Sequence, residues 1–345
     1  MQSRTSGRPA LLIVALAIVL GLVAAACGDD GSEATGDGSL PSKITIGYQL
    51  IPNGDLIVKH NGWLEEAFGD DVKVEWKLFD SGGAVNEAVL AGGIDIGLAG
   101  SSPVSRGLSS DIPYQVPWIF DVIGDAEALV AKPGIESVKD LKGKTVATPF
   151  ASTAHYSLLA AIEDAGLSES DVKLIDAQPD AIYASWTQGQ IDAAYVWNPN
   201  LAKLIEEDGK VLLTSADLAA KGKTTYDLAV VTTEFAEKYP EAVRVWVEQQ
   251  DRAVKLLRDD PDAAAEAIAA ELSISVDEAQ AQIEDLIFLT AAEQAGDEYL
   301  GGGLADNLIA AAAFNKAQGQ IDGVKDDQAY RDAVYTAAVK AVSGG

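Results

Sequence analysis

The chain has 345 residues, 48% of them hydrophobic, and its 25 basic against 53 acidic side chains leave a formal charge of −28. That charge excludes a general nucleic-acid binder, which needs Lys and Arg to neutralise phosphates, and the hydrophobic fraction excludes a chain that stays disordered. One cysteine, Cys27, and two histidines, His60 and His155, allow no internal disulfide and almost no zinc chemistry, so neither a metal nor a cofactor is expected.

Residues 1–9 carry Arg4 and Arg8 and no acid; an apolar stretch 11–23 follows, then Ala24-Ala25-Ala26 and Cys27. A charged start, an apolar middle and a small-residue end are the parts of a secretory signal, in order. The stretch 9–26 also just reaches the length of a spanning helix. The single Cys directly after small residues favours the signal. Residues 28–42 hold four acids with repeated Gly and Ser and no apolar periodicity, the composition of a flexible acidic tether. The folded body is expected to begin near Lys43.

From there short β-branched or apolar runs alternate with helical patterns. Strands are expected over 44–49, 72–78 and 94–98, with helices over 55–68, 84–91 and 103–108 between and after them. The alternation restarts with strands over 145–148, 172–175, 191–196 and 211–213, and helices over 155–164, 181–188 and 201–207. Strands alternating with helices imply parallel sheets covered on both faces. A strand over 226–232 is followed by an almost wholly helical remainder, with helices over 235–259, 262–272, 276–288 and 304–318 and a last one near 326–342.

Gly92-Gly93-Ile94-Asp95-Ile96-Gly97 and Gly189-Gln190-Ile191-Asp192-Ala193-Ala194 share the pattern Gly-x-Ile-Asp-x-small, each after a helix and before a loop with Pro. Matching flanks make two related lobes a better account than coincidence in a Gly- and Ala-rich chain. Two α/β lobes imply a cleft, which is a preferred ligand site.

Three segments put Ser, Thr or Gly between a strand and a helix: Asp80-Ser81-Gly82-Gly83, Gly100-Ser101-Ser102-Pro103 and Pro149-Phe150-Ala151-Ser152-Thr153. Any one alone is most simply an N-cap. Three facing one cleft favour an anion, because the first-turn N–H groups lack internal partners and the helix dipole is positive there. The run around Ser81 resembles the tetrapeptide at the nucleophile of trypsin-like proteases, but it lacks the preceding Gly and sits in an α/β pattern. No G-x-S-x-G, H-E-x-x-H, P-loop or dinucleotide fingerprint is present.

Glu127 and Asp227 each open an apolar strand instead of decorating a helix. Solvation or a salt bridge is the ordinary role of an acid, but segments that cross between lobes make these two candidates for holding a cation. Trp118, Trp197, Tyr156 and His155 are candidates for the cleft wall, since a Trp face attracts an ammonium. Trp63, Trp76, Trp186 and Trp246 are assigned to the core.

Small residues before a lone Cys and a polar tail resemble the lipobox of bacterial lipoproteins, which implies acylation at Cys27. The runs Phe79-Asp80-Ser81-Gly82, Leu98-Ala99-Gly100-Ser101-Ser102-Pro103, Glu127-Ala128-Leu129-Val130, Ser152-Thr153-Ala154-His155-Tyr156-Ser157-Leu158-Leu159 and Tyr195-Val196-Trp197-Asn198-Pro199 together resemble the taurine-binding proteins of ABC importers. Those belong to the sulfonate, nitrate and thiamine-precursor group of periplasmic-type binding proteins. Asn198, where that family often has Ala, and Tyr226, where Leu is common, depart from its pattern.

The resemblance implies an α/β, two-lobed periplasmic-binding-protein-like fold of type II with a helical C-terminal region. Its divisions are a lipoprotein signal peptide over 1–26, a tether over 27–42, a first lobe over 43–126, a second lobe over 127–232 with crossover strands at both ends, and helices over 233–345 completing the first lobe. It implies a non-enzymatic, monomeric protein, lipid-anchored at Cys27 on the outer face of the cytoplasmic membrane. The protein would deliver a small zwitterionic sulfonate to a permease driven by a cytoplasmic ATPase. The implied ligand set is Gln49, Ser81, Gly82, Ser101, Ser102, Trp118, Glu127, Thr153, His155, Tyr156, Trp197 and Asp227. A pyridoxal-phosphate enzyme on the same fold is the competing class, and two histidines are too few for its His cluster.

Overall fold

The computed structural model describes residues 40–344; the expected signal peptide, Cys27 and the tether up to residue 39 lie outside the described residues. The strands in chain order are β1 (Lys43–Tyr48), β2 (Lys73–Leu78), β3 (Ile96–Gly100), β4 (Tyr114–Ile123), β5 (Glu127–Ala131), β6 (Thr145–Thr148), β7 (Lys173–Asp176), β8 (Ala193–Trp197), β9 (Lys210–Thr214), β10 (Thr225–Thr232) and β11 (Leu286–Ile287). They form two sheets, ordered β11-β4-β10-β3-β1-β2 and β7-β6-β8-β5-β9.

In each lobe a parallel trio is joined by antiparallel strands: β2-β1-β3 meets β10 in the first, and β7-β6-β8 meets β5 in the second. The sequence echo marks equivalent positions in the two trios. Asp95 accepts a hydrogen bond from the Thr45 backbone N–H at 2.7 Å, and Asp192 accepts one from the Thr145 N–H at 2.8 Å. Both carboxylates tie the start of a central strand to the start of its neighbour. Gly92 and Gly189 both end the preceding helix with a positive φ, of 65° and 68°, a conformation glycine adopts without a Cβ penalty.

One feature sharpens the sequence expectation and another departs from it. Residues 127–232 are expected to form the second lobe with crossover strands at both ends, and the one at the second end, β10, lies within the first sheet, between β4 and β3. Its continuous run Tyr226-Asp227-Leu228-Ala229-Val230-Val231 is buried throughout, as a central strand covered on both faces requires. The strand β4 was not foreseen at all. Pro117 argues against a central strand because it cannot donate to the ladder; the β4–β10 register is irregular between Ala229 and Val231, near that proline.

The helical remainder packs mainly on the first lobe. The expected helix over 235–259 is two, Thr233–Lys238 and Pro240–Asp259, because Pro240 has no N–H to continue the first and is suited to start the second. Trp246, fully buried, meets Phe120 of β4 edge-on at 5.8 Å between ring centroids. Helix Gly303–Ala317 lies along helix Ser101–Ser109, where the Ser105 hydroxyl donates to the Leu308 carbonyl at 2.8 Å. Its C-terminal end reaches the second lobe, with Phe314 against Tyr156 at 4.7 Å. Among the described residues no helix is long and apolar enough to cross a membrane.

Removing the Trp246 side chain leaves a large cavity between this helical layer and the first sheet. Trp246→Ala is expected to cost about 3–5 kcal/mol in urea unfolding, at the upper end for core truncations, whereas Leu90→Ala on the exposed face of helix Gly82–Leu90 is expected to change stability by less than about 0.5 kcal/mol.

Candidate functional site

The cleft lies where the chain passes between the sheets. The strands β3, β6 and β8 end there, and because β10 and β5 run antiparallel to their neighbours, their first residues arrive at the same edge. This places Asp227 opposite Gly100 and Glu127 opposite Trp197. A cavity of about 430 Å³, its mouth included, is lined by Gln49, Gly82, Gly100, Glu127, Thr153, Trp197 and Asp227 and closed by apolar groups such as Ile123 and Leu286. Among the described residues none of its lining side chains is Lys or Arg.

Glu127 is fully enclosed and heavily solvated by hydroxyls. Thr153 Oγ1 donates to its Oε2 at 2.6 Å, while Ser215 Oγ at 2.8 Å and Ser157 Oγ at 3.4 Å donate to its Oε1. A carboxylate has about four acceptor sites, so three hydroxyls leave about one open. Burial nevertheless dominates and pushes the Glu127 pKa up to about 7 against the lowering effect of those donors.

Asp227 also lines the cavity, and behind it stands Asp121, its direct partner across the β4–β10 ladder. Burial pushes Asp121 up to about 7 despite an Asn53 Nδ2 donor at 3.2 Å. Burial, and then the charges of Asp121 and Glu127, hold Asp227 well above the ordinary carboxylate range. The same network continues inward: the Asp55 N–H donates to Asn53 Oδ1 at 3.2 Å, and Gln250 Nε2 donates to Asp55 Oδ1 at 2.9 Å. Burial lifts Asp55 to about 7. Asp55 Oδ2 and Gln250 Oε1 are both buried without a hydrogen-bond partner.

Helix starts supply the donors at this edge. Helices Gly82–Leu90, Ser101–Ser109 and Thr153–Asp164 all begin at the cleft. Ser81 and Ser152 cap the first and third through the N–H groups of Ala84 and His155, whereas Gly100 offers the second no side-chain cap. The lobes approach closely here: a Cβ on Gly100 would come within 2.5 Å of the Thr153 methyl, so a glycine is required at that contact.

Several residues expected at the cleft lie elsewhere. Trp118 is fully buried in the first-lobe core. His155 stacks on Phe150 at 4.4 Å, away from the cavity lining, and burial and then Arg106 push its pKa down to about 4. Tyr156 packs against Phe314 instead. The Ser101 hydroxyl accepts the Tyr226 N–H at 3.2 Å, and the Ser102 hydroxyl faces Asn315 at 3.3 Å, so both fasten elements behind the wall. Ser81 is a cap beside the lining residue Gly82, and the Thr153 hydroxyl serves Glu127. Gln49 is anchored by Nε2 on the Leu98 carbonyl at 3.0 Å. Asn198, the departure noted in sequence, donates to Asp285 at 3.1 Å and so ties β8 to the segment before β11.

Sequence reading missed Asp121, Asn53, Ser157 and Ser215. Asp121 carried the same signal as Glu127 and Asp227, a lone acid in an apolar run. Ser157 lies one helical turn after Thr153 and so shares its face. Ser215 is 88 residues from Glu127, and nothing local to it points there.

Acids whose pKa is raised by folding bind more protons in the native than in the unfolded state between about pH 4 and 7, so their contribution to stability is lost as pH rises through that window. Thermal unfolding of the ligand-free protein is expected to give a higher midpoint at pH 5 than at pH 8. Asp55→Asn, which keeps the Gln250 hydrogen bond without a titrating group, is expected to narrow that difference; an unchanged difference would show that Asp55 is ionised across the range.

Comparison with known proteins agrees with this architecture. The NMT1/THI5-like family model matches residues 54–264. The taurine-binding periplasmic protein of Escherichia coli strain K12 is 35% identical over 303 residues, covering 82% of this chain and 89% of that protein. A putative aliphatic sulfonates-binding protein of Bacillus subtilis strain 168 is 33% identical over 261 residues, covering 74% and 76%. Among solved structures, the alkanesulfonate-binding protein of Xanthomonas axonopodis pv. citri bound to MOPS aligns with a TM-score of 0.71 at 21% identity, over 86% of this chain and 99% of that one, which shows the shared two-lobed α/β fold. The chain is a binding protein rather than an enzyme: it belongs to the NMT1/THI5-like family and, within it, to the periplasmic binding proteins that include the taurine- and aliphatic-sulfonate-binding proteins.

Proposed function

We propose that this protein is an exported solute-binding protein that takes taurine or a closely related small aminosulfonate into the cleft and delivers it to the permease of an ABC importer. The observation that carries the reading is one small cavity with two buried carboxylates, Glu127 and Asp227, beside the helix starts at Gly82 and Gly100, the second of them without a side-chain cap, and no basic side chain in its lining. A sulfonate spreads one charge over three oxygens, which suits several neutral N–H donors and the positive ends of helices. An ammonium needs acceptors, and the open site on Glu127 together with Asp227 supplies them; the indole face of Trp197 adds a further attraction. Gln49 and the backbone at Gly82 complete the proposed ligand shell.

The names of two relatives support the class of ligand, and that of a third, a putative ABC transporter periplasmic binding protein of Brachyspira hyodysenteriae, supports the importer setting. The sequence of the first 27 residues supports export as a lipoprotein, anchored through Cys27 on the outer face of the cytoplasmic membrane, with the folded part acting as a monomer. Cys27→Ala is expected to release the processed protein from the membrane; a processed variant that still sediments with membranes would contradict lipid anchoring.

Calorimetric titration of the protein lacking residues 1–27 is expected to give one taurine site with a dissociation constant near or below micromolar, about −8 kcal/mol or better. A charge-assisted hydrogen bond to a buried carboxylate contributes roughly 1.5–3 kcal/mol, so Glu127→Gln is expected to weaken taurine about tenfold to a hundredfold and to spare ethanesulfonate, which has no ammonium. Equal losses for both ligands would assign Glu127 to the fold and remove the zwitterion argument.

A further inference from the structure

Asp121 is not itself one of the residues that line the cavity, yet it lies directly opposite Asp227, which is. Directly opposed residues of an antiparallel pair have Cβ atoms about 4.5–5.5 Å apart on one face of the sheet, and Asp121 and Asp227 are such a pair, both buried, with Asp121 Oδ1 enclosed and without a hydrogen-bond partner of its own. Two buried carboxyl groups set directly opposite each other with no cation between them favour one proton held between them, because both cannot ionise there without a large cost. Asn53 donates to Asp121, which favours the charge on Asp121 and the proton on Asp227. The other ionisable groups facing the pair are Glu127 from β5 and, behind Asn53, Asp55 from helix Gly54–His60, which has Gln250 of helix Pro240–Asp259 on its far side and feels Lys59. Among the described residues no basic group is in contact with either member of the pair.

We propose that Asp121 is the positioning residue of the cation subsite: it holds one proton in common with Asp227, and an ammonium arriving at Asp227 displaces that proton to solvent. The exchange is balanced. The Asp227 O–H bond breaks, its electron pair stays on the carboxylate that now accepts the ammonium N–H, and one proton passes to the buffer. The inference rests on the reading that the ligand ammonium faces Asp227 and Glu127. Its consequence is discrimination: a ligand with no cation has nothing to displace the proton, and the pair then stays as a neutral donor and a single charge instead of two repelling carboxylates.

Two measurements test this. Infrared difference spectroscopy of the ligand-free protein at pH 7 is expected to show a protonated carboxyl band that is lost in Asp121→Asn, where the amide takes over the donor role, and in Asp227→Asn. Absence of that band in the unsubstituted protein would overturn the shared proton, whatever the ligand is. Taurine titrations in two buffers of different ionisation enthalpy are expected to show proton release near neutral pH, with affinity rising by up to about tenfold per pH unit, the limit for one linked proton. Ethanesulfonate is expected to release none, and Asp121→Asn is expected to bind taurine with less proton release and a flatter pH profile. Taurine binding without proton release, or with equal release in Asp121→Asn, would overturn the proposal while leaving taurine as ligand; failure of taurine to bind would instead remove the functional reading, and the infrared band alone would then decide the pair.

Discussion

Burying carboxylates without a cation beside them is the constraint on which the rest of this structure depends. Taking an ionised carboxylate out of water is costly unless it is paired or well hydrogen-bonded, and Asp121, Glu127 and Asp227 are enclosed at one point between the lobes. The protein manages them by different means. Glu127 is surrounded by three hydroxyls drawn from two helices of its own lobe, while Asp121 takes a hydrogen bond from Asn53 and stands directly opposite Asp227. What none of them has is a permanent positive partner, and a cationic ligand group is the simplest thing that completes the site.

The fold makes this arrangement possible through strand direction. In a purely parallel sheet only the carboxyl ends of the strands, with the helix starts that follow, face the ligand. Here β5 and β10 are inserted antiparallel, so the acids at or near their starts, Glu127 and Asp227, arrive beside the helix starts at Thr153 and Ser101. Acceptors and donors thus meet at one edge without any long side chain reaching in. Glycine at position 100 lets the two lobes meet over that edge, and Phe314 against Tyr156 extends the contact to the C-terminal layer.

The parts legible in sequence are those with local causes. The Gly-x-Ile-Asp echo marks two equivalent strands because the Asp performs the same backbone contact in each. Glu127 and Asp227 stood out because an acid at the head of an apolar strand has no solvent to serve. What was not legible depends on pairing over long distances. The membership of β10 in the first sheet, the strand β4 with its proline, and the gathering of Ser157 and Ser215 on Glu127 follow from which strands lie side by side. Trp118, His155 and Tyr156 were drawn to the cleft by residue type, but each satisfies a packing need elsewhere: the first-lobe core, the ring of Phe150 and the ring of Phe314.

The central claim is that the cleft joins two kinds of group at one edge, the buried acids of β5 and β10 and the backbone N–H groups of the helix starts beside them, each serving a different end of the ligand. A crystal structure of the taurine complex tests it most directly. The account predicts the ligand nitrogen within hydrogen-bonding distance of Glu127 and Asp227, and sulfonate oxygens on the backbone N–H groups at the starts of helices Gly82–Leu90 and Ser101–Ser109. A ligand lying with its sulfonate against the carboxylates, or bound outside this cavity, would contradict it.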